Sequence, residues 1–157
     1  MFGTGRKGRL NLPARTILLV EDNPQDEMLI LRALRDANLS NRVDVVRDGQ
    51  QALDYLFQEG EFAIRAGPDL PAVVLLDIGL PRLSGLEVLE RLRADPRTAL
   101  LPVVILTSSD EEQDRLKSYE RHANSFVRKP VDFAEFAETV ARLGVYWLAT
   151  NEPPAGR

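Results

Sequence analysis

The sequence predicts an α/β fold in which a doubly wound, five-stranded parallel sheet carries helices on both of its faces. Two observations lead to this prediction. Strand-like and helix-like segments alternate along the chain, and three of the strand-like segments are continuously apolar. Unbroken apolar strands are typical of parallel sheets that helices cover on both sides. We expect right-handed crossovers between the strands and the strand order 2-1-3-4-5.

Five short runs form the predicted strands. They are TILLV at 16–20, RVDVV at 42–46, AVVLL at 72–76, PVVIL at 102–106 and NSFV at 124–127. Helix-like segments occupy the connections between them. The connection from the second helix to the third strand, GEFAIRAGPDLP at 60–71, is long, and loops of this length are often functional.

The predicted helices have recognisable starts and apolar faces. Asn23 is a suitable N-cap, with Pro24 at the first helical position. Capping-box or similar spacings follow at three places: Asp48 with Gln51, Ser84 with Glu87, and Asp132 with Glu135. The predicted apolar stripes are Met28, Leu31 and Leu34 in the first helix, and Leu86, Leu89 and Leu92 in the third.

Composition limits the class of protein. The chain has 157 residues, a formal net charge of −4 and no cysteine. No apolar run approaches the ~20 residues of a membrane span, and the acidic charge argues against nucleic acid as the main partner. We therefore expect a cytoplasmic protein that binds neither DNA nor a membrane. Its predicted parts are a basic disordered tail at 1–14, one domain at 15–149 and a C-terminal tail at 150–157.

Polar residues follow the predicted strands at the edge where such sheets bind ligands. Glu21 and Asp22 follow the first strand, Asp77 the third, Thr107 the fourth and Lys129 the fifth. Carboxylates that converge repel one another, and a bound cation removes this conflict. Because all the donors are hard oxygens, Mg²⁺ is the expected metal.

The same edge carries the groups that phosphoryl transfer requires. Thr107 offers a hydroxyl and Lys129 a positive charge, and both suit a phosphoryl group that shares the metal. Asp77 would then be the nucleophile towards phosphorus. Each residue alone has an ordinary explanation as a cap or a turn, but together they indicate a phosphoryl-transfer site.

Four segments resemble the response-regulator receiver domains of two-component signalling over roughly residues 15 to 149. They are LLVEDNP, LLDIGLPRLSGLEVL, VVILTSS and SFVRKPVDF. The resemblance implies that Asp77 is phosphorylated by a histidine kinase. It implies that Mg²⁺ is bound by Glu21, Asp22, Asp77 and the main-chain carbonyl of Gly79.

The resemblance also assigns roles to residues around the phosphoryl group. Thr107 and Lys129 would hold it, Phe126 would be the aromatic switch residue, and a cis peptide would precede Pro130. Two positions that tune water attack in this family, Gly79 and Ser109, are small here. The lifetime of the acyl phosphate is therefore left open.

A narrower resemblance concerns the partner kinase. The 60–71 loop and the C-terminal segment GVYWLATNEPP are similar to those of small stand-alone receivers that serve phytochrome-type histidine kinases. We therefore expect a single-domain response regulator that catalyses only its own phosphorylation and dephosphorylation. Its output would pass through contacts of the receiver itself.

Two alternatives remain open from sequence. An aspartate-nucleophile phosphohydrolase of the haloacid-dehalogenase type uses similar residues, but it needs a second acid where this chain has Gly79. A receiver that binds partners without accepting phosphate is the other. The only histidine, His122, is interpreted as a surface residue rather than as part of a phosphohistidine relay.

A homodimer is predicted from the last helix. Its core-facing stripe leaves Val145, Tyr146 and Leu148 pointing away from the sheet. Apolar residues clustered in this way suggest a partner surface. The resemblance favours pairing through the fourth helix, the fifth strand and the fifth helix, with twofold symmetry.

Overall fold

The computed structural model describes residues 16–36, 42–63, 70–107 and 125–129, together with Ala134 and Glu138. The described residues form a five-stranded, wholly parallel sheet in the order β2-β1-β3-β4-β5, as predicted. The strands are β1 (Ile17–Val20), β2 (Val43–Val46), β3 (Val73–Asp77), β4 (Val103–Thr107) and β5 (Ser125–Arg128).

The bounds of the strands differ from the prediction by at most one residue. Every strand begins one residue later, and Asp77 and Thr107 are the last residues of β3 and β4 rather than the residues that follow them. The reason is pairing: Asp77 lies in register with Leu106, and Thr107 with Arg128. The ladder therefore fixes the backbone of two predicted site residues.

Three helices connect the described strands. They are α1 (Pro24–Asp36), α2 (Gly49–Phe57) and α3 (Gly85–Ala94). Asn23 caps α1 as predicted, since its side-chain oxygen accepts from the backbone of Gln25 at 2.9 Å. Ser84 and Glu87 form a complete capping box at the start of α3. The first residues of α1 and α3 are therefore specified by capping residues close to them in the sequence.

The start of α2 follows the predicted spacing only in part. The Asp48 carboxylate accepts from the backbone N–H of Gln51 at 2.8 Å. The Gln51 side chain, however, accepts from the backbone of Arg47 at 2.7 Å rather than from Asp48. One half of the capping box is formed, and the other half is moved by one residue.

The core has two layers, one on each face of the sheet. Alternate strand residues point to opposite faces, so α2 and α3 cover one face and α1 covers the other. The predicted stripe of α3 is buried, with Leu89 and Leu92 fully enclosed. The stripe of α1 was wrong at Met28, which is 57% exposed. The residues of α1 that are buried against the sheet are Ile30, Ala33 and Leu34.

The 60–71 connection is described at both ends. It begins with a short 3₁₀ helix, Gly60–Phe62, and the Phe62 ring packs edge-on against Tyr55 with centroids 5.3 Å apart. Leu70 packs against the core at the other end. None of the helices in the described ranges is both long and apolar enough to cross a membrane.

Several predictions fall outside the described residues. They are the tails at 1–14 and 150–157, Ser109, His122, the peptide before Pro130, the Asp132–Glu135 cap, and the fifth helix with Val145, Tyr146 and Leu148.

Candidate functional site

Three carboxylates meet at the carboxyl end of the sheet, as predicted. Glu21 directly follows β1 and is fully buried, while Asp77 ends β3 and is 4% exposed. Asp22, the next residue along the chain, is exposed. One oxygen from each of the three lies within 4.8 Å of the others. Adjacent parallel strands thus bring residues together that lie 55 positions or more apart in the chain.

Lys129 lies against this cluster. Its side-chain nitrogen Nζ donates to Glu21 Oε1 at 3.1 Å and lies 3.6 Å from Asp77 Oδ1. The Lys129 side chain is only 8% exposed. The backbone N–H of Lys129 donates to the Thr107 carbonyl at 2.6 Å, which ties the lysine to the end of β4. The predicted lysine therefore reaches the predicted carboxylates.

Asp26 is a site residue that the sequence reasoning missed. It lies in the first turn of α1, and its Oδ2 accepts from Lys129 Nζ at 2.8 Å, the shortest of the three contacts of this ammonium with carboxylates. The neighbouring Glu27 pairs instead with the Arg47 guanidinium. An acid in a first helical turn is ordinarily explained by the helix dipole, so the sequence alone gave Asp26 no distinguishing signal.

The pKa values of two groups in the site, Glu21 and Lys129, are both raised, but for different reasons. Burial, followed by the nearby charge of Asp77, raises the pKa of Glu21 to about 7, although Lys129 and the backbone of Asn23 oppose the shift. Burial alone would lower the pKa of Lys129. The hydrogen bond to Asp26 and the charges of Asp77 and Glu21 outweigh it, so the pKa of Lys129 is raised. The site holds excess negative charge around one firmly protonated lysine.

Two close backbone contacts fix the loop after Asp77. A Cβ on Gly85 would lie 2.3 Å from the Asp77 carbonyl oxygen, and a Cβ on Gly49 would lie 2.1 Å from the Leu83 carbonyl oxygen. Glycine is therefore required at the first residue of α3 and of α2. The backbone N–H of Gly79 donates to Asp77 Oδ1 at 3.1 Å and orients the carboxylate.

The remaining predicted residues occupy two different environments. Thr107 is 2% exposed at the end of β4, the strand next to β3. Phe126 lies on β5 and is 37% exposed. The structure thus buries the predicted phosphoryl-binding hydroxyl and leaves the predicted switch ring accessible to solvent.

The donor set fits a hard divalent cation. Two of the three carboxylates are buried, and burial, together with the charge of Asp77, raises the pKa of Glu21. A cation placed among these oxygens would relieve that repulsion. No histidine or cysteine competes for the metal within the cluster.

Comparison with known proteins decides the family. A family model described as "Response regulator receiver domain" matches residues 17–141. The chain belongs to this family. This receiver is 42% identical over 139 residues to the probable methanogenesis regulatory protein FilR2 of Methanothrix harundinacea, and the match covers 88% of this chain and 86% of that protein.

Solved structures of other receivers are similar in both sequence and fold. The bacteriophytochrome response regulator RtBRR is 51% identical with a TM-score of 0.81, and the match covers 92% of this receiver and 86% of that chain. The Mn²⁺-bound form of Rcp1, a response regulator of Synechocystis sp., is 34% identical with a TM-score of 0.68. That match covers 90% of this receiver and 99% of the other chain.

These findings confirm the functional class predicted from sequence. The protein is a receiver-domain response regulator of a two-component system, and its partner is a histidine kinase. It has an acidic pocket of the kind that binds a divalent metal. The similarity to phytochrome response regulators is confirmed as well. The hydrolase alternative has no support, because the matching family is a receiver family and Gly79 offers no second acid.

Proposed function

We propose that Asp77 is the residue that accepts the phosphoryl group. The observation that carries this proposal is the position of its carboxylate: 3.6 Å from Lys129 Nζ, within the three-acid cluster, and held by the Gly79 N–H. An Asp77 oxygen attacks phosphorus on the phosphohistidine of the kinase. The P–O bond forms as the P–N bond breaks, and the histidine leaves with the electron pair.

Mg²⁺ is the metal that we assign to the acidic cluster. Glu21, Asp22, Asp77 and the main-chain carbonyl of Gly79 would hold it, because hard oxygen donors with a shared phosphate suit this ion. When bound, Mg²⁺ neutralises charge on the transferring phosphoryl group. The raised pKa of Glu21 supports the proposal, because burial and the charge of Asp77 both disfavour its ionised form and a bound cation would favour it.

Thr107 and Lys129 are proposed to hold the phosphoryl group once it is on Asp77. Thr107 supplies a hydroxyl from the end of β4. Lys129 supplies an ammonium group that stays protonated throughout the physiological pH range. Asp77 and these two residues lie at the same end of the neighbouring strands β3, β4 and β5.

Phe126 is proposed to report the phosphorylated state. Capture of the phosphoryl group draws Thr107 towards Asp77, and the exposed Phe126 ring turns into the space that this leaves. The phosphoryl group biases an equilibrium between two existing arrangements. Crystal structures with and without a phosphoryl mimic test this. Identical Phe126 rotamers and an unmoved Thr107 would contradict it.

The finer identity of the partners is also a proposal. We assign a phytochrome-type histidine kinase as donor on the strength of the similarity to RtBRR. We also propose that residues 15–149 form a single receiver domain that acts in the cytoplasm. The proposed homodimer forms through the predicted fourth helix, β5 and the predicted fifth helix, with Val145, Tyr146 and Leu148 at the interface. Light scattering of the wild type and of Tyr146→Asp, with and without a phosphoryl mimic, tests the dimer.

Phosphorylation by a small donor tests the central assignment. Incubation with acetyl phosphate and Mg²⁺ is expected to give a base-labile adduct on the wild-type protein. Asp77→Asn is expected to give no adduct. In Asp22→Ala, phosphorylation is expected to lose its dependence on Mg²⁺, because a metal ligand is removed. Full incorporation by Asp77→Asn would show that another residue is the acceptor.

A further inference from the structure

The contact between α1 and Lys129 is not explained by metal binding or by phosphoryl transfer. Lys129 Nζ donates to Asp26 Oδ2 at 2.8 Å and to Glu21 Oε1 at 3.1 Å, while Asp77 Oδ1 is farther away at 3.6 Å. An ammonium has three N–H donors. Two of them are directed to acids other than the proposed acceptor.

We propose that Asp26 holds Lys129 in the unphosphorylated state and competes with the phosphoryl group for its ammonium, so that Asp26 limits the stability of the phosphorylated state. The inference rests on the proposed function, in which Lys129 binds the phosphoryl group on Asp77. Asp26 is a positioning residue here, since it acts through Lys129 and is not assigned to the metal.

The charge of the incoming group supplies the competition. A phosphoryl group adds roughly −1.5 to −2 charges and three strong acceptor oxygens. When the Lys129 ammonium moves towards these oxygens, its contacts with Asp26 and Glu21 lengthen. A fixed carboxylate that competes for the same ammonium therefore opposes the phosphorylated state.

Burial decides which contact gives way. The Glu21 side chain is fully buried, and a buried carboxylate that loses its cation is costly. The Asp26 side chain is 31% exposed, so water replaces the ammonium when Lys129 moves. Asp26 is thus the partner whose ammonium water can replace, whereas Glu21 must keep a cation, either Lys129 or the proposed Mg²⁺.

The next residue of α1 provides a matched control. Glu27 lies in the same first turn and also makes an ion pair, but its partner is the Arg47 guanidinium from the loop between β2 and α2. Neutralising Glu27 changes the net charge of this helical turn by the same amount as neutralising Asp26. It leaves the contacts of Lys129 intact.

Calorimetric titration with two ligands tests the proposal on the full chain. Beryllofluoride, an anionic phosphoryl mimic, is titrated at saturating Mg²⁺, and Mg²⁺ is titrated alone. Asp26→Asn removes the charge and keeps the size of the side chain. We expect beryllofluoride to bind roughly three- to tenfold more tightly. We expect Mg²⁺ alone to bind more weakly, because a nearby negative charge is gone.

Asp26→Asn is thus expected to strengthen the binding of beryllofluoride and to weaken the binding of Mg²⁺. These opposite changes distinguish competition from structural damage, which would weaken the binding of both ligands. Glu27→Gln is expected to leave beryllofluoride affinity unchanged. In a Lys129→Met background, Asp26→Asn is expected to give no gain. Unchanged or weaker beryllofluoride binding by Asp26→Asn, an equal gain from Glu27→Gln, or an equal gain without Lys129 would each overturn the proposal.

Failure of the proposed function has a different signature. If wild type binds no beryllofluoride, or Asp77→Asn binds it as well as wild type does, the phosphoacceptor assignment fails and the role of Asp26 fails with it. If wild type binds the mimic through Asp77 and Asp26→Asn does not bind it more tightly, only the inference on Asp26 is overturned.

Discussion

Buried and half-buried polar groups have different partners at the two ends of the sheet. At the amino end, Arg93 donates to the carbonyls of Thr98, Ala99 and Leu101 at 3.3, 3.1 and 2.8 Å, and Thr98 Oγ1 donates to the Leu92 carbonyl at 2.7 Å. At the carboxyl end, charged side chains face one another. The first arrangement satisfies backbone groups and stabilises a loop, whereas the second retains excess negative charge that a metal would balance.

This difference separates structural from functional polar residues within one fold. A donor that serves main-chain carbonyls, such as the half-buried Arg93 or the buried Thr98, contributes to folding and has no reason to move. A buried carboxylate beside another carboxylate lowers stability until a ligand arrives. Substitutions at the two ends should therefore affect stability and ligand binding in different combinations.

The substitution with the largest expected effect, Gly85→Ala, should lower both stability and metal affinity. Gly85→Ala places a methyl group 2.3 Å from the Asp77 carbonyl oxygen, so the loop that carries Asp77 must shift. We expect the free energy of unfolding to fall by about 3 kcal/mol or more, and Mg²⁺ affinity to fall with it. Urea denaturation and metal titration measure the two quantities. A variant with wild-type Mg²⁺ affinity would show that this contact does not position the site.

A substitution at the amino end should affect stability alone. Arg93→Ala leaves three carbonyls without their shared donor, and we expect a loss of about 2 kcal/mol in the free energy of unfolding. Mg²⁺ affinity and phosphorylation by acetyl phosphate should be unchanged. Arg91→Ala, at an exposed position in the same helix, is the control, with an expected change within about 0.5 kcal/mol. Impaired phosphorylation of Arg93→Ala would contradict the separation.

A substitution at the carboxyl end should have the opposite effect on stability. Because the pKa of Glu21 is about 7 in the folded protein, against 4.5 as its ordinary value, metal-free wild type loses stability as pH rises from 4.5 through 7. Glu21→Gln removes this penalty. Without metal, we expect it to exceed wild type in unfolding free energy by roughly 1–2 kcal/mol at pH 8 and to show no advantage below pH 4.5.

The same substitution should weaken metal binding. At pH 8, Mg²⁺ is expected to raise the melting temperature of wild type and to have a smaller effect on Glu21→Gln. Thermal unfolding at several pH values, with Mg²⁺ or with EDTA, measures both effects. A variant that is less stable than wild type at pH 8 without metal would mean that Lys129 overcompensates the burial of Glu21.

Local signals in the sequence predicted most of the fold. The apolar runs gave five strands to within one residue at each end, and the Ser84 capping box gave the start of α3. Met28 was assigned to the wrong face, because several apolar residues of α1 allow more than one stripe and only packing on the sheet selects among them. Local pattern thus determines the elements more reliably than their orientation.

The residues at the strand ends of the site were predicted from sequence, whereas a residue that depends on helix packing was not. The rule that ligands bind at the carboxyl edge of such sheets brought Glu21, Asp77 and Lys129 together without a structure. Asp26 was missed because its partner lies 103 residues away in the chain and no strand end marks it. Contacts between a helix and a distant lysine depend on how the helix packs, and the sequence alone does not specify that.

Chemical trapping of the phosphorylated residue tests the central claim most directly. The receiver is phosphorylated with acetyl phosphate and Mg²⁺, the acyl phosphate is reduced with borohydride, and the peptides are sequenced by mass spectrometry. Reduction converts a phosphorylated aspartate into homoserine. We predict homoserine at Asp77 and unmodified acids at Glu21, Asp22 and Asp26. Homoserine at Asp22 or Asp26 with an intact Asp77, or a Mg²⁺-independent adduct elsewhere, would contradict the assignment of Asp77 as the phosphoacceptor.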